Sequence, residues 1–291
     1  MGAAGDAIGI AGGGRIAQAF GRLLREHGEP VAAVASREPE HAAAAARFIG
    51  CPHALSYAEL PSRACRVLIA VPDDALASVA AALAGGGLRG GAALHTCGSR
   101  GPEALAALAA GGVSCGALHP LQTVATPQQG LAALPGAAFA ITAEGPAAAW
   151  AERIVSLLDG LALRIPAERR PLYHAAAVMA SNYLVGLVDA AVMLMNAAGV
   201  EEDTALRALA PLVGASSANA LALGPLKALT GPIERGDVET VALHWKALAA
   251  APAPVRELYR AAGLHLVTLA RRRGLSEASA VRFERLFRQG E

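Results

Sequence analysis

The chain has 291 residues with a formal net charge of +1, and 54% of its residues are hydrophobic against 17% charged. That length suits about two domains of roughly 150 residues each. The near-neutral balance excludes a general electrostatic pull toward nucleic acid or acidic membranes.

In chain order, the first apolar run is Ala7–Ala11, a strand that leads into Gly12-Gly13-Gly14-Arg15-Ile16-Ala17 and a helix over Arg15–His27. Gly12, Gly14 and Ala17 fit the G-x-G-x-x-G/A pattern. The first glycine lets the chain turn sharply, the second lets backbone approach a pyrophosphate, and the small third residue allows close helix–strand packing. A helix beginning at such a turn offers free N–H groups and a positive dipole end to phosphate. Gly9, Gly12, Gly13, Gly14, Arg15 and Ile16 are therefore expected at a dinucleotide.

A second strand, Val31–Ala35, ends before Ser36-Arg37. A site for NAD usually carries an acid there for the ribose hydroxyls, whereas the nearest acid here is Glu38. A hydroxyl and a guanidinium suit a 2′-phosphate, so NADP(H) is expected ahead of NAD(H). The alternative for Arg37 is a solvent-facing loop charge.

Further strands are expected at Val67–Val71, Ala92–His95, Cys115–Leu118, Phe139–Thr142 and Leu161–Ile165, and helices at Pro39–Ile49, Asp73–Leu83, Pro102–Ala110 and Pro146–Leu158. Short apolar strands alternating with helices predict an α/β domain with a parallel sheet covered on both faces. The strand signal stops after Ile165. A boundary near 165 divides a dinucleotide-binding domain, 1–165, from a helical substrate and dimerisation domain, 166–291, with breaks near Gly199, Pro211, Gly224–Pro225, Gly231–Pro232 and Gly274.

The segment Ala175–Ala198 is long and largely apolar, but it holds Ser181, Asn182, Asp189 and Asn196. A central Asp costs about 2.5–3.5 kcal/mol in a bilayer, so a helix buried in a soluble protein or dimer is expected rather than a span. The N-terminus lacks the basic leader of a signal peptide. Met1-Gly2 hints at acylation, but Asp6 stands where Ser or Thr is required. Cys51, Cys65, Cys97 and Cys115 form no CxxC pair and read as buried reduced thiols. The cytoplasm is the expected compartment.

Five stretches carry a resemblance: Val71-Pro72-Asp73-Asp74-Ala75, His95-Thr96-Cys97-Gly98-Ser99, His119-Pro120-Leu121-Gln122-Thr123, Tyr173-His174-Ala175-Ala176-Ala177 and Leu229-Thr230-Gly231-Pro232-Ile233-Glu234-Arg235-Gly236-Asp237. With them the chain resembles the Rossmann-like and DUF2520 domain-containing proteins of the 6-phosphogluconate-dehydrogenase-like superfamily, the group of ketopantoate reductases, prephenate dehydrogenases and pyrroline-5-carboxylate reductases. The resemblance implies a Rossmann domain followed by an all-helical C-terminal domain that usually dimerises. It also places Val71 and Pro72 beside the cofactor.

Hydride transfer requires a positioned proton donor and fixed dipoles at the developing charge. In such sheets ligands bind beyond the carboxyl ends of the strands, where Ser99, His119, Gln122 and Thr123 fall. Prephenate dehydrogenases carry a similar His-Pro pair and a Ser in the preceding loop. By that similarity His119 is the proton donor and Ser99 its helper, with Gln122 and Thr123 facing substrate. The alternative is a histidine that caps its strand and ties the domains together.

At roughly 100° per residue, a continuous helix would bring His174, Ser181, Asn182, Asp189 and Asn196 into one arc of about 100°. This is either a polar seam between helices or a substrate-facing edge led by His174 and Asn182. Ketopantoate reductases use a Lys and an Asn on the comparable helix. Here no Lys is present, and His174 would stand in for the cation. Thr230 is a candidate substrate contact and Arg235 a carboxylate clamp. The mechanical reading is favoured, in which Arg235 pairs with an acid and Asp237 caps a helix over Val238–Leu248.

No H-E-x-x-H or comparable spacing suggests a metal, and no G-x-S-x-G elbow is present. The expectation is an NADPH-dependent reductase of a small, ketopantoate-like 2-oxo acid or an imine acid. A prephenate-type oxidative dehydrogenase and a non-catalytic NADP(H)-binding sensor or scaffold are the alternatives. The expected partners are a small substrate and a second copy of the chain, with no nucleic acid and no membrane.

Overall fold

The computed structural model describes residues 6–288; Met1 and Gly2, considered above for acylation, lie outside them. The chain divides into two compact units, Met1–Ser181 and Asn182–Glu291. The boundary expected near 165 marks the end of the sheet, and the first unit continues through one further helix.

The first unit is built on eight strands: β1 Ile8–Ala11, β2 Val31–Ala35, β3 His53–Leu55, β4 Arg66–Ile69, β5 Ala92–His95, β6 Ser114–Pro120, β7 Ala138–Ala143 and β8 Leu161–Arg164. They form one sheet in the order β3-β2-β1-β4-β5-β6-β7-β8. The chain leaves β1 toward β2 and returns to β4 on its other side, which creates the switch point where ligands of doubly wound sheets bind. Its helices are α1 Arg15–Glu26, α2 Pro39–Ile49, α3 Leu76–Gly85, α4 Ala106–Ala109, α5 Pro127–Ala133, α6 Gly145–Leu157 and α7 Arg170–Ala180.

Alternation along each strand sorts the core into two layers. Ile8 and Ile10 join Phe20, Ile49, Phe139 and Trp150 on one face, while Ala11, Val67 and Ile69 join Leu60, Leu83 and Leu105 on the other. The parallel registers bring Ala11, Ala35, Ile69, His95 and Ala117 level with one another. The loops that follow these strands therefore emerge along one edge.

The sheet departs from the sequence-based expectation in two places. β3 is a three-residue edge strand, too short for an alternation signal. β7 runs antiparallel to β6. Between them the chain makes only the short α5, so β7 starts from the end where β6 finishes and runs back beside it.

The second unit holds α8 Asn182–Ala197, α9 Glu202–Leu223, α10 Pro225–Ala228, α11 Val238–Ala247, α12 Ala253–Arg271 and α13 Glu277–Arg288. Its core joins Val241, Trp245, Val267, Phe283 and Phe287. Asp237 caps α11, accepting from Thr240 N at 3.1 Å and Thr240 Oγ1 at 2.7 Å. Arg235 forms no ion pair among the described residues; Arg273 instead reaches Glu234 at 3.4 Å and donates to Leu229 O at 2.5 Å. Pro211, expected as a break, lies inside α9, which continues through it.

The expected single helix from Ala175 is interrupted at Ser181 (φ −121°, ψ −72°). The Ser181 hydroxyl donates back to Ala177 O at 2.7 Å, a competition that bends helices. The polar arc assumed a continuous helix, and its members on either side of the break belong to different units. Two stretches, Ala167–Ala197 and Glu202–Leu223, are long and apolar enough to cross a membrane by length and composition. Neither is buried within the single chain, so the burial expected for Ala175–Ala198 would have to come from a second copy. Val185 is 70% exposed and Leu221 88%.

Candidate active site

The glycine turn has the geometry its residues predict. Gly12 sits at φ +133°, which L side chains avoid, and a Cβ there would run into the carbonyl of Ala70. Its N–H donates to Ala35 O at 2.8 Å, tying the turn to β2. Ala17 is fully buried beside the turn, as the small third position of the pattern predicts. Around Gly14 a Cβ would meet nothing within 4 Å, so the backbone there is open to close approach. Helix α1 has no side-chain cap and no acid in its first turn, so its leading N–H groups stay available to an anion. Arg15 and Ile16 open this turn. Gly9 belongs elsewhere: it is buried, and a Cβ would press on Leu60 at 2.9 Å, so its role is packing rather than cofactor contact.

A cavity of about 700 Å³ adjoins the turn, between Gly13 and Gly14, the Ser36-Arg37 loop, and Val71-Pro72 after β4. Arg37 points outward, its side chain 87% exposed, with Glu38 3.3 Å away. The lining residues that the sequence reading did not assign to the cofactor include His41 on α2 and Tyr57 after β3. Burial holds the acidity of the Tyr57 phenol below that of free tyrosine, against the opposing pull of the Ser36-Arg37 loop. An open glycine cradle, an uncapped helix end and a cation beside a hydroxyl fit NADP(H). Bound there, it would supply the hydride.

Farther along the same edge lies a histidine cluster. His119 is in the last turn-out of β6, and its Nδ1 is 2.8 Å from the Tyr173 hydroxyl on α7. The His174 ring stands edge-on to His119, with centroids 5.8 Å apart. Both rings crowd Gly98, where a Cβ would come within 2.9 Å of His119 Nε2 and closer still to His174. Glycine is thus required at Gly98 for the rings to converge. Ser99, expected to assist His119, instead directs its hydroxyl to Asp73 Oδ2 and Cys97 Sγ, each at 3.4 Å.

Burial, and then the Arg170 guanidinium, push the His119 pKa down to about 4, with His174 adding to the effect. His119 is neutral at pH 7. Burial likewise raises the Tyr173 phenol, which stays protonated.

The frame behind the cluster is polar and buried. His95 Nε2 donates to Gly101 O at 2.8 Å while Nδ1 accepts from Cys97 N–H at 3.2 Å, which fixes its tautomer. Fully buried Arg170 donates to Cys97 O at 2.6 Å and to Thr142 Oγ1 at 2.9 Å. Thr142 in turn donates to Ile165 O. Together these bonds hold the Cys97–Gly101 loop, β7 and α7 as one piece.

Gln122 donates to Ala133 O at 3.3 Å and accepts from Thr123 N at 2.8 Å, closing its own loop. Asn182 and Thr230 are exposed residues of the second unit. None of the four cysteines is in a disulfide; Cys51 and Cys97 are buried, whereas Cys65 and Cys115 are only partly so.

A doubly wound sheet with this turn, cavity and edge defines a nucleotide-binding oxidoreductase. Residues 7–91 match the family described as NADP oxidoreductase, coenzyme F420-dependent, and residues 137–266 match the domain of unknown function DUF2520. A Bacteroides fragilis protein assigned as an NADP oxidoreductase has a similar structure (TM-score 0.72, 25% identity, 92% of this chain and 97% of that one). So does the reductive aminase of Aspergillus terreus, solved with NADPH4, cyclohexanone and allyl amine (0.63, 20%, 98% and 99%). A pyrroline-5-carboxylate reductase from Coxiella burnetii shares the fold (0.58, 16%, 97% and 98%). No curated protein sequence matches the chain. The chain is an NADP-dependent oxidoreductase that pairs an NADP-oxidoreductase domain with a DUF2520 domain.

Proposed function

We propose that the protein is an NADPH-dependent reductase of a small 2-oxo acid, ketopantoate-like in size, or of an imine acid. The observation that carries this reading is the His119–Tyr173 pair, converging with His174 over Gly98 on the edge that also bears the glycine turn.

With its pKa at about 4, His119 does not donate as an imidazolium at neutral pH. It donates as a relay. The Tyr173 O–H bonds to Nδ1, so the imidazole carries its proton on Nε2. As the carbonyl carbon gains hydride, the C=O π pair moves to oxygen and the Nε2 proton passes to it. The phenol proton moves onto Nδ1 as Nε2 gives up its own, and the starting tautomer returns when solvent protonates Nε2 and Nδ1 hands its proton back to the tyrosinate. Nearby Arg170 lowers the cost of that tyrosinate. His174 orients the substrate, and Ser99, fixed to Asp73, shapes the rim. Arg37, with Ser36, holds the 2′-phosphate.

The exposed apolar surface of α8 and α9 supports a homodimer through the helical unit. Leu187, Leu212, Leu221 and Leu223 are all more than 40% exposed, and extensive exposed apolar surface usually marks association sites. Sedimentation at micromolar concentration would show a dimer, and a monomer there refutes the interface.

The test of the activity is NADPH consumption across 2-oxo acids and cyclic imines, with His119→Asn as control. A substrate reduced by the wild type and not by the variant is expected. A screen in which no member of either class is consumed overturns the reductase reading.

A further inference from the structure

Arg170 opens α7, three residues ahead of Tyr173, and its side chain is 0% exposed. Two of its nitrogens donate to neutral oxygens, Cys97 O and Thr142 Oγ1, and Nε has no partner. Among the described residues no carboxylate lies within ion-pair reach of it. Glu103, the acid on the adjoining segment, accepts from Gly101 N at 2.7 Å instead. Neutral donors could staple these elements without the penalty of an uncompensated buried charge. The charge itself therefore needs a purpose.

The groups around His119 show what it acts on. They are Arg170, Tyr173 and His174 on α7, His95 at the end of β5, and Asp73 after β4. The single carboxylate in that set, Asp73, is 3.4 Å from the Ser99 hydroxyl at the exposed rim. The fixed charge behind the imidazoles is positive; burial first, and then this charge, depress both His119 and His95, with Glu103 acting the other way on His95.

We infer that Arg170 is a positioning residue whose buried charge makes the His119 pocket select substrates bearing negative charge at the reacting end, so that a 2-oxo acid is accepted over a preformed iminium of similar size. The inference rests on the reductase reading above. Hydride addition makes either acceptor more negative by one unit, so a fixed cation assists both once they are bound. Binding separates them. The carboxylate of a 2-oxo acid enters a favourable field, whereas an iminium must enter against a cation that cannot retreat into solvent. Keeping His119 uncharged avoids placing a second cation beside Arg170 and preserves the Nε2 proton for delivery.

The test has two arms. In a 13Cε1-histidine NMR titration, with the signal assigned through His119→Asn, wild-type His119 should titrate near pH 4. Arg170→Gln should raise it by about one unit or more, and Arg170→Lys should hold it low, a pattern that lost packing alone does not produce. Wild-type titration in the ordinary range near 6.5 overturns the inference whether or not the Gln variant folds. So does a folded Arg170→Gln protein with His119 unmoved.

The second arm compares NADPH consumption with 2-oxo acids from pyruvate to ketopantoate and with 1-pyrroline. The preference for the acids should fall roughly tenfold in Arg170→Gln, chiefly through KM, and persist in Arg170→Lys. If both classes are consumed and the ratio does not move, the inference alone falls. If neither class is consumed, the reductase reading falls and the inference falls with it.

Discussion

The glycine turn and the histidine cluster lie on one sheet edge, yet they are made differently. The turn is a backbone device: Gly12 through Ala17 are consecutive, and their function follows from φ angles, open N–H groups and the absence of Cβ atoms. The cluster is a side-chain device. His119 and Tyr173 are 54 positions apart and meet only because β6 and α7 are both in place. Its central residue, Gly98, contributes nothing but room. A site made from backbone can be exact with little support, whereas a site made from side chains needs a buried frame, which Arg170 and His95 supply here.

Gly12→Ala should have the largest effect. At φ +133° the new Cβ meets the Ala70 carbonyl, a backbone group that cannot swing aside. A loss of more than about 4 kcal/mol in denaturant unfolding is expected, at the diagnostic end of single substitutions, with NADPH binding lost. Gly98→Ala should instead displace two flexible rings, removing turnover while NADPH affinity, read by fluorescence titration, stays within about twofold. A Gly98→Ala protein that no longer binds NADPH would show that the two devices are not separable.

The next effect depends on pH. His119 titrates at about 4 in the fold against 6.5 when unperturbed, so between these values the unfolded chain binds the proton and the native state does not. The sign follows: this stability is complete above pH 6.5 and is lost as pH falls toward 4. At roughly 1.4 kcal/mol per unit, the contribution is about 3 kcal/mol. Thermal unfolding between pH 4 and 7 should show a shallower slope in His119→Asn than in the wild type. Equal slopes would mean that the cluster is solvated rather than framed.

The legibility of the two devices follows from the same difference. β2, β5 and α2 appear with the bounds their sequences predict, because apolar strand runs and a Pro at a helix start are local signals. The turn is legible for that reason too. Gly9 was over-read because a strand glycine that packs against Leu60 and one that faces a ligand look alike in sequence. His119 and Ser99 were correctly placed at strand ends, but their partners were not accessible: Tyr173 and Asp73 become neighbours only through the fold. Arg170 carried no signal, since an arginine beside Pro171 reads as surface charge and its complete burial depends on β7. His41 and Tyr57 were missed because a cavity wall follows no spacing rule.

Tyr173→Phe probes the relay with the frame left intact, since the ring still packs edge-on to His119 at 5.7 Å between centroids. If the phenol resupplies Nδ1, kcat should fall by about 10²-fold, the lower range of general acid catalysis, with KM and NADPH affinity little changed. A variant at full rate would reduce Tyr173 to a spacer and leave His119 to recover its proton from water.

The smallest effect is expected at the turn's outer end, where Arg37 is 87% exposed and paired with Glu38 at 3.3 Å. An exposed ion pair of this kind contributes about 0–1 kcal/mol, so removing it should leave stability unchanged. A charge-assisted bond to a 2′-phosphate is stronger. Arg37→Asp should therefore lower the NADPH-to-NADH affinity ratio by about tenfold or more, near 1.4 kcal/mol, and reverse it where the new acid engages the ribose hydroxyls. His41→Ala should weaken NADPH in the same direction by less, because its imidazole lines the cavity without a fork to match the phosphate. Equal wild-type affinity for the two cofactors would break the comparison at its most legible point. The glycines would then still locate a pyrophosphate, but the Ser36-Arg37 pair would not be read by the ligand at all.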